Sequence, residues 1–177
     1  MKKVIYMKGY IQVYTGNGKG KTTAALGLAL RAAGAGLRVF FAQFMKGTQS
    51  SEVIALEKLS SHITIKQYGS DNFIDYTPNE QDISAAQQGL KEVREAILSG
   101  SYQVIVLDEA NVAIRYNLFS VEAVLDLIRI KPDDVELVIT GRDAIPAIIE
   151  AADLVTEMKE AKHYFQKGIP ARTGIEK

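Results

Sequence analysis

The chain predicts an α/β fold, a mostly parallel sheet of about six strands flanked by helices. Short apolar, β-branched runs alternate with longer helical patterns, as in successive βαβ units. The first of these runs passes through a glycine-rich turn straight into an alanine-rich helix. Two later runs end on charged residues, where an open parallel sheet carries its ligands.

Taken in order, the first strand is expected over residues 10–15 and the first helix over 21–33. Gly34 and Gly36 end that helix, because the chain needs a positive φ after a helix C-terminus. A strand over 37–44 follows, with Phe40, Phe41 and Phe44 assigned to the sheet core. Helix 51–59 leads to strand 63–67, and helix 80–98 to strand 103–108. Helix 121–130, strand 135–140, helix 144–151 and strand 154–158 complete the alternation. Between residues 68 and 79 lies the longest irregular piece, with Gly69, Asp71, Asn72 and Pro78. It is either a binding loop at the mouth of the sheet or a plain surface connection.

Composition bounds the possibilities. With 177 residues, 47% of them apolar, the chain can bury a substantial core, and residues 1–177 are expected to form a single domain. The 21 basic residues equal the 21 acidic ones, so no global field attracts nucleic acid or an anionic membrane. The absence of cysteine excludes disulfides, thiolate zinc sites and thiol chemistry. No apolar stretch approaches the ~20 residues that span a bilayer, and the N-terminal apolar patch is too short for a signal-peptide core. A cytoplasmic protein is expected.

The turn reads Thr15-Gly16-Asn17-Gly18-Lys19-Gly20-Lys21-Thr22-Thr23. Glycines let successive backbone N–H groups aim inward, and the following helix adds a partial positive charge at its N-terminus. Lys21 is expected to face solvent in the empty loop and to reach phosphate oxygens. The Thr22 hydroxyl is expected to ligate the accompanying magnesium. A strict P-loop has glycine where this chain has Thr15, so the pattern is incomplete, but its strand-to-helix setting is the one the motif requires. At the end of the fourth strand, Asp108 and Glu109 follow Val104-Ile105-Val106-Leu107, the pattern of a Walker B segment holding magnesium directly or through water. A strand meeting solvent at acidic residues is the plainer alternative. Arg142 follows the fifth strand and could clamp phosphate oxygens bidentately, or pair on the surface with Asp143.

With these strand ends in place, the chain resembles the P-loop corrinoid adenosyltransferases along nearly its whole length. The resemblance is carried by the loop, by Leu107-Asp108-Glu109-Ala110-Asn111, and by Thr140-Gly141-Arg142-Asp143-Ala144. It continues through residues 152–158, ending Glu157-Met158, then Lys162-His163, Gly168, Ala171 and Gly174-Ile175-Glu176. The later stretches are the narrow ones. The family's loop resembles T-G-N-G-K-G-K-[ST], which accounts for Thr15.

The resemblance implies a P-loop NTPase architecture of RecA-like type and transfer of the 5′-deoxyadenosyl group of ATP to cobalt(I) of a corrinoid, releasing triphosphate. It implies ATP, magnesium or manganese, and a corrinoid co-substrate. An electron donor such as a flavoprotein and a homodimer are the expected partners, with neither nucleic acid nor membrane. Lys21, Arg142 and Glu109 carry the catalytic assignments. Thr22, Asp108 and Glu109 carry the metal, and the loop from Thr15 to Thr23 carries the phosphates. Many members wedge a phenylalanine and a tryptophan against the corrin. This chain has no tryptophan, and Phe73 and Tyr76 are the matching candidates, with a core role for Phe73 open as well. His163 could face the corrinoid or cap the last strand, and the structural role is the one favoured. Two other classes stay open on the residues alone. One is an ATPase or small-molecule kinase acting at the γ-phosphate through Glu109. The other is a nucleotide sensor without chemistry.

Overall fold

The computed structural model describes residues 8–70 and 77–176. Among them six strands form one sheet: β1 (Ile11–Thr15), β2 (Val39–Phe44), β3 (Ile63–Tyr68), β4 (Val104–Asp108), β5 (Glu136–Thr140) and β6 (Leu154–Glu157). Their order is β3-β2-β4-β5-β1-β6. Every pairing is parallel, so the sheet is wholly rather than mostly parallel. All strands therefore end on one rim. The strand that feeds the glycine loop, β1, is separated by β5 from β4, which ends on Asp108. The α/β architecture is that of a P-loop NTPase-like domain.

The helices are α1 (Lys21–Gly34), α2 (Ser51–Glu57), α3 (Glu80–Leu98), α4 (Ala110–Arg115), α5 (Val121–Ile130) and α6 (Pro146–Glu150), followed by a 3₁₀ turn at Tyr164–Lys167. They cover both faces of the sheet. Side chains alternate along β2, so Val39 and Phe41 join Ala25, Ala29, Ala32 and Leu56 from α1 and α2 on one face. Phe40, Ala42 and Phe44 point to the other, where Val93, Ile97, Ile114, Val124 and Ile148 from α3 to α6 complete the larger core. Local signals agree with these elements. Asn79 and Asp82 form a reciprocal capping box on α3, Ser120 caps α5, and Pro146 occupies the first turn of α6. None of the helices among the described residues is long and apolar enough to cross a membrane.

Differences from expectation cluster after β4. The sequence offers no pattern for α4, because six residues are too few to show a helical period. Glu109 enters the left-handed region at φ 60 and turns the chain directly from strand into helix. The 3₁₀ turn was likewise unanticipated, while several element ends shift by one or two residues. Phe73 and Tyr76 lie outside the described residues.

Candidate active site

The loop between β1 and α1 is built against the segment that follows β6. The Gly18 amide donates to the Met158 carbonyl at 2.7 Å, and the Met158 amide to the Thr15 carbonyl at 2.8 Å. A Cβ on Gly16 or Gly18 would lie 2.4 or 2.7 Å from the Met158 carbonyl oxygen, so only glycine permits this approach. Thr15 is pinned too, its hydroxyl accepting from the Ala144 amide at 3.1 Å, and Asn17 Oδ1 accepts from the Glu160 amide at 3.1 Å. Both side chains thus brace the loop, and Thr15, Gly16 and Asn17 border a separate hollow of about 710 Å³ toward Ile149 and Val155.

Lys21 does not face solvent. It is 6% exposed, with Nζ donating to the carbonyls of Gly16 at 2.8 Å and Gly18 at 2.7 Å. The ammonium thus satisfies two of its donors on carbonyls of its own turn. Burial pulls its pKa below the usual lysine value, and Arg142 adds to that effect against the attraction of Glu109 and Asp108. Lys19 is aimed elsewhere, its ammonium lying on Glu176, Ile175 and Tyr164 of the C-terminal segment.

Asp108 is fully buried at the end of β4 and collects three donors. Thr140 Oγ1 donates at 2.7 Å, Thr22 Oγ1 at 3.0 Å, and Gln43 Nε2 at 3.2 Å. Gln43 in turn accepts from Gln67 Nε2 at 3.1 Å, extending the network across β2 to β3. Gln43 and Thr140 were not singled out from the sequence. Their signal was present, since each is a polar residue at or next to the C-terminal end of its strand, directly after a run of apolar residues.

Glu109 directs its amide to Thr140 Oγ1 at 3.0 Å and its carboxyl into the cavity. Burial, reinforced by the neighbouring Asp108 charge, pushes that carboxyl above the usual range, with Lys21, Lys46 and Arg142 opposing. Arg142 reaches the same cavity, and the partner of Asp143 is Arg115 rather than Arg142. The cavity, of about 600 Å³, is lined by Gly18–Thr23, Glu109 and Arg142 and by Lys46, Glu52, His163 and residues 174–176. His163 caps the 3₁₀ turn by accepting from the Phe165 amide at 3.0 Å. The structure therefore brings together Gly18, Gly20, Lys21, Thr22, Thr23, Asp108, Glu109 and Arg142. A backbone cradle, two convergent cations and adjacent hard oxygen donors suit a polyphosphate with a divalent cation.

Comparison with known proteins agrees with this geometry. Residues 7–176 match the family described as ATP:corrinoid adenosyltransferase BtuR/CobO/CobP. A corrinoid adenosyltransferase from Pseudomonas aeruginosa is 35% identical over 170 residues, covering 96% of this chain and 84% of that protein. One from Escherichia coli K12 is 36% identical over 170 residues, with 96% and 86% covered. The corrinoid adenosyltransferase CobA of Salmonella typhimurium is 36% identical over 174 residues, again with 96% and 86% covered. With the match running from the first strand through the C-terminal segment, the chain belongs to the ATP:corrinoid adenosyltransferase family.

Proposed function

We propose that the protein transfers the 5′-deoxyadenosyl group of ATP to the cobalt(I) of a corrinoid, cobalamin or a precursor, in adenosylcobalamin synthesis or salvage. Cobalt(I) supplies both electrons of the new cobalt–carbon bond and becomes cobalt(III). The C5′–O5′ bond breaks, and its electron pair leaves with triphosphate. Such a displacement needs no general base. It needs a leaving group of about four negative charges to be neutralised, and the carbon to be aligned with the cobalt.

The observation that carries this reading is the convergence of Lys21, Thr22, Glu109 and Arg142 on one cavity, with Asp108 buried behind Thr22 and bonded to it, within a chain of this family. Upon binding, phosphate oxygens replace the Gly16 and Gly18 carbonyls as partners of Lys21, and loop amides other than that of Gly18, which stays on Met158, take the rest. Arg142 completes the neutralisation from the β5 side. Thr22 and Asp108 place hydroxyl and carboxylate oxygens 3.0 Å apart, a donor set that fits magnesium or manganese together with phosphate oxygens and water. The ion would spread the charge of the triphosphate, and Glu109 would support its water shell. Phe73 and Tyr76 are proposed to meet the corrin from the loop after β3. Reduction of the corrinoid to cobalt(I) falls to an electron donor such as a flavoprotein, and the working unit is a homodimer in the cytoplasm.

A second reading has one observation in its favour. A buried carboxyl with a raised pKa, Glu109, is also what a γ-phosphate hydrolase or kinase uses to activate its nucleophile. Incubating the protein with ATP, magnesium and chemically reduced cobalamin separates the two. Triphosphate and adenosylcobalamin in equal amounts support the transferase reading, and ADP or phosphate would overturn it.

A further inference from the structure

The C-terminal segment comes back to the phosphate loop and is fastened there. Lys19 Nζ donates to Glu176 Oε1 at 2.8 Å, to the Ile175 carbonyl at 2.9 Å and to the Tyr164 hydroxyl at 3.2 Å. All three donors of that ammonium are thus directed at the tail. The Glu176 carboxylate also accepts from Arg172 three times, from the backbone amide at 2.9 Å, Nη2 at 3.1 Å and Nε at 3.3 Å, and from the Tyr164 hydroxyl. The Arg172 guanidinium lies 4.9 Å from the centre of the Tyr164 ring, so cation and ring pack together.

Isolated surface ion pairs hold little, but this is a network with a bidentate arginine at its centre. Its carboxylate is 16% exposed while Lys19 is 40% exposed, so the acid is the sheltered member. Hydrogen bonds from Arg172, then Lys19 and Tyr164, hold the Glu176 carboxyl well below the usual range, and its bond to Lys19 raises the lysine. The cluster therefore stays charged across the physiological range. Its position gives it a consequence for the site. Gly174, Ile175 and Glu176 line the 600 Å³ cavity together with Glu109 and Arg142. Ordering this segment costs conformational entropy at every residue, and little apolar burial offsets it here, since Ile175 is 57% exposed.

We propose that Glu176 is a positioning residue that acts through Lys19, clasping the C-terminal tail to the phosphate loop and so fixing one wall of the cavity that receives ATP. The proposal rests on the reading of this cavity as the ATP site. Because Lys21, Thr22 and Asp108 are anchored independently of the tail, opening the clasp loosens the wall and leaves the phosphate contacts intact. The loss falls on binding rather than on the chemical step.

The test uses the full chain with Glu176→Gln, Lys19→Met, the double variant and Glu176→Asp. ATP affinity is read by calorimetry with no corrinoid present, and turnover is read separately with ATP and preformed cobalt(I) corrinoid. Glu176→Gln is expected to raise the Kd and KM for ATP about tenfold while kcat stays within about twofold, the pattern of lost uniform binding. Lys19→Met should match it, the double variant should be no worse than either single one, and Glu176→Asp should recover most of the affinity. Trypsin should cut after Arg172 faster in Glu176→Gln than in the parent. Unchanged ATP affinity in Glu176→Gln, additive losses in the double variant, or a fall in kcat at constant KM would each overturn the proposal. A parent protein that binds ATP but forms no triphosphate would instead overturn the transferase reading, and the calorimetric comparison would still decide the clasp.

Discussion

Lys21, expected from the sequence to face solvent, is instead buried against its own loop. Its spacing from Gly16 nominates it as the phosphate lysine, yet nothing in a linear motif tells that the ammonium folds back onto two loop carbonyls. Lys21→Ala should therefore do two things. Turnover should fall by a factor of about 100 or more, the ~3 kcal/mol expected for removing a charge aimed at the leaving group. Thermal stability should also drop, by about 1 kcal/mol, because two buried hydrogen bonds go with it. Steady-state rates and a melting curve on the same preparation check both, and an active variant would sink the assignment. Asp108 makes a sharper case. Asp108→Asn turns an acceptor of three hydrogen bonds into a group that must offer its own donors to Thr22, Thr140 or Gln43. A loss of about 1–3 kcal/mol in stability and a steeply raised magnesium requirement should appear together in that variant. Glu109 gives the pH dependence. Its folded pKa lies above the unfolded value, so the fold holds its proton more tightly than the open chain does. Stability is then undiminished below the ordinary glutamate range and declines as pH rises through that range toward the raised value. Glu109→Gln should remove this decline, melting higher than the parent at neutral pH and level with it near pH 4. A parallel pair of curves would contradict the raised carboxyl.

At the scale of elements, the strands and the long helices were legible because burial imposes a period on them. Helix α3 was placed at both ends from its pattern, and the structure adds the capping box of Asn79 and Asp82 at its start. The short helix α4 was not, for it is specified by tertiary packing on β5 and by the left-handed turn at Glu109 rather than by local sequence. Another feature readable only in three dimensions is Gly89. In isolation a glycine inside a helix lowers stability, and Gly89→Ala should help by up to ~1 kcal/mol. Here a Cβ would lie 2.7 Å from the Tyr68 ring and 2.8 Å from the Phe44 ring, which stack at 5.6 Å between centroids. Phe44 is in turn held edge-on by Phe119 at 5.1 Å, so the pair cannot retreat without moving the core. Gly89→Ala is accordingly expected to destabilise by about 1–3 kcal/mol, as overpacked cores do. Chemical denaturation decides the sign, and a more stable variant would show that α3 shifts freely off the sheet.

For the molecule as a whole, the sheet order explains why residues far apart in the chain could be nominated together. Parallel strands bring Thr15, Asp108 and Thr140 to one rim, so a motif at the end of each strand reads as part of one site. The outer limb of the site was less legible. Sequence places Lys19 among the phosphate ligands, whereas the return of residues 157–176 over the loop recruits it to the tail and gives Glu157-Met158 and Gly174-Ile175-Glu176 their place. Such a return depends on long-range contacts that no local pattern encodes. The central claim is that this rim positions ATP for attack at C5′ with triphosphate leaving. The measurement that bears on it most directly uses ATP carrying ¹⁸O at the C5′–O5′ bridging position, together with magnesium and preformed cobalt(I) corrinoid. Displacement at carbon sends the label out with triphosphate and leaves none in the adenosylated corrinoid. Label retained in a nucleotide product such as ADP would place the cleaved bond at phosphorus and contradict the account.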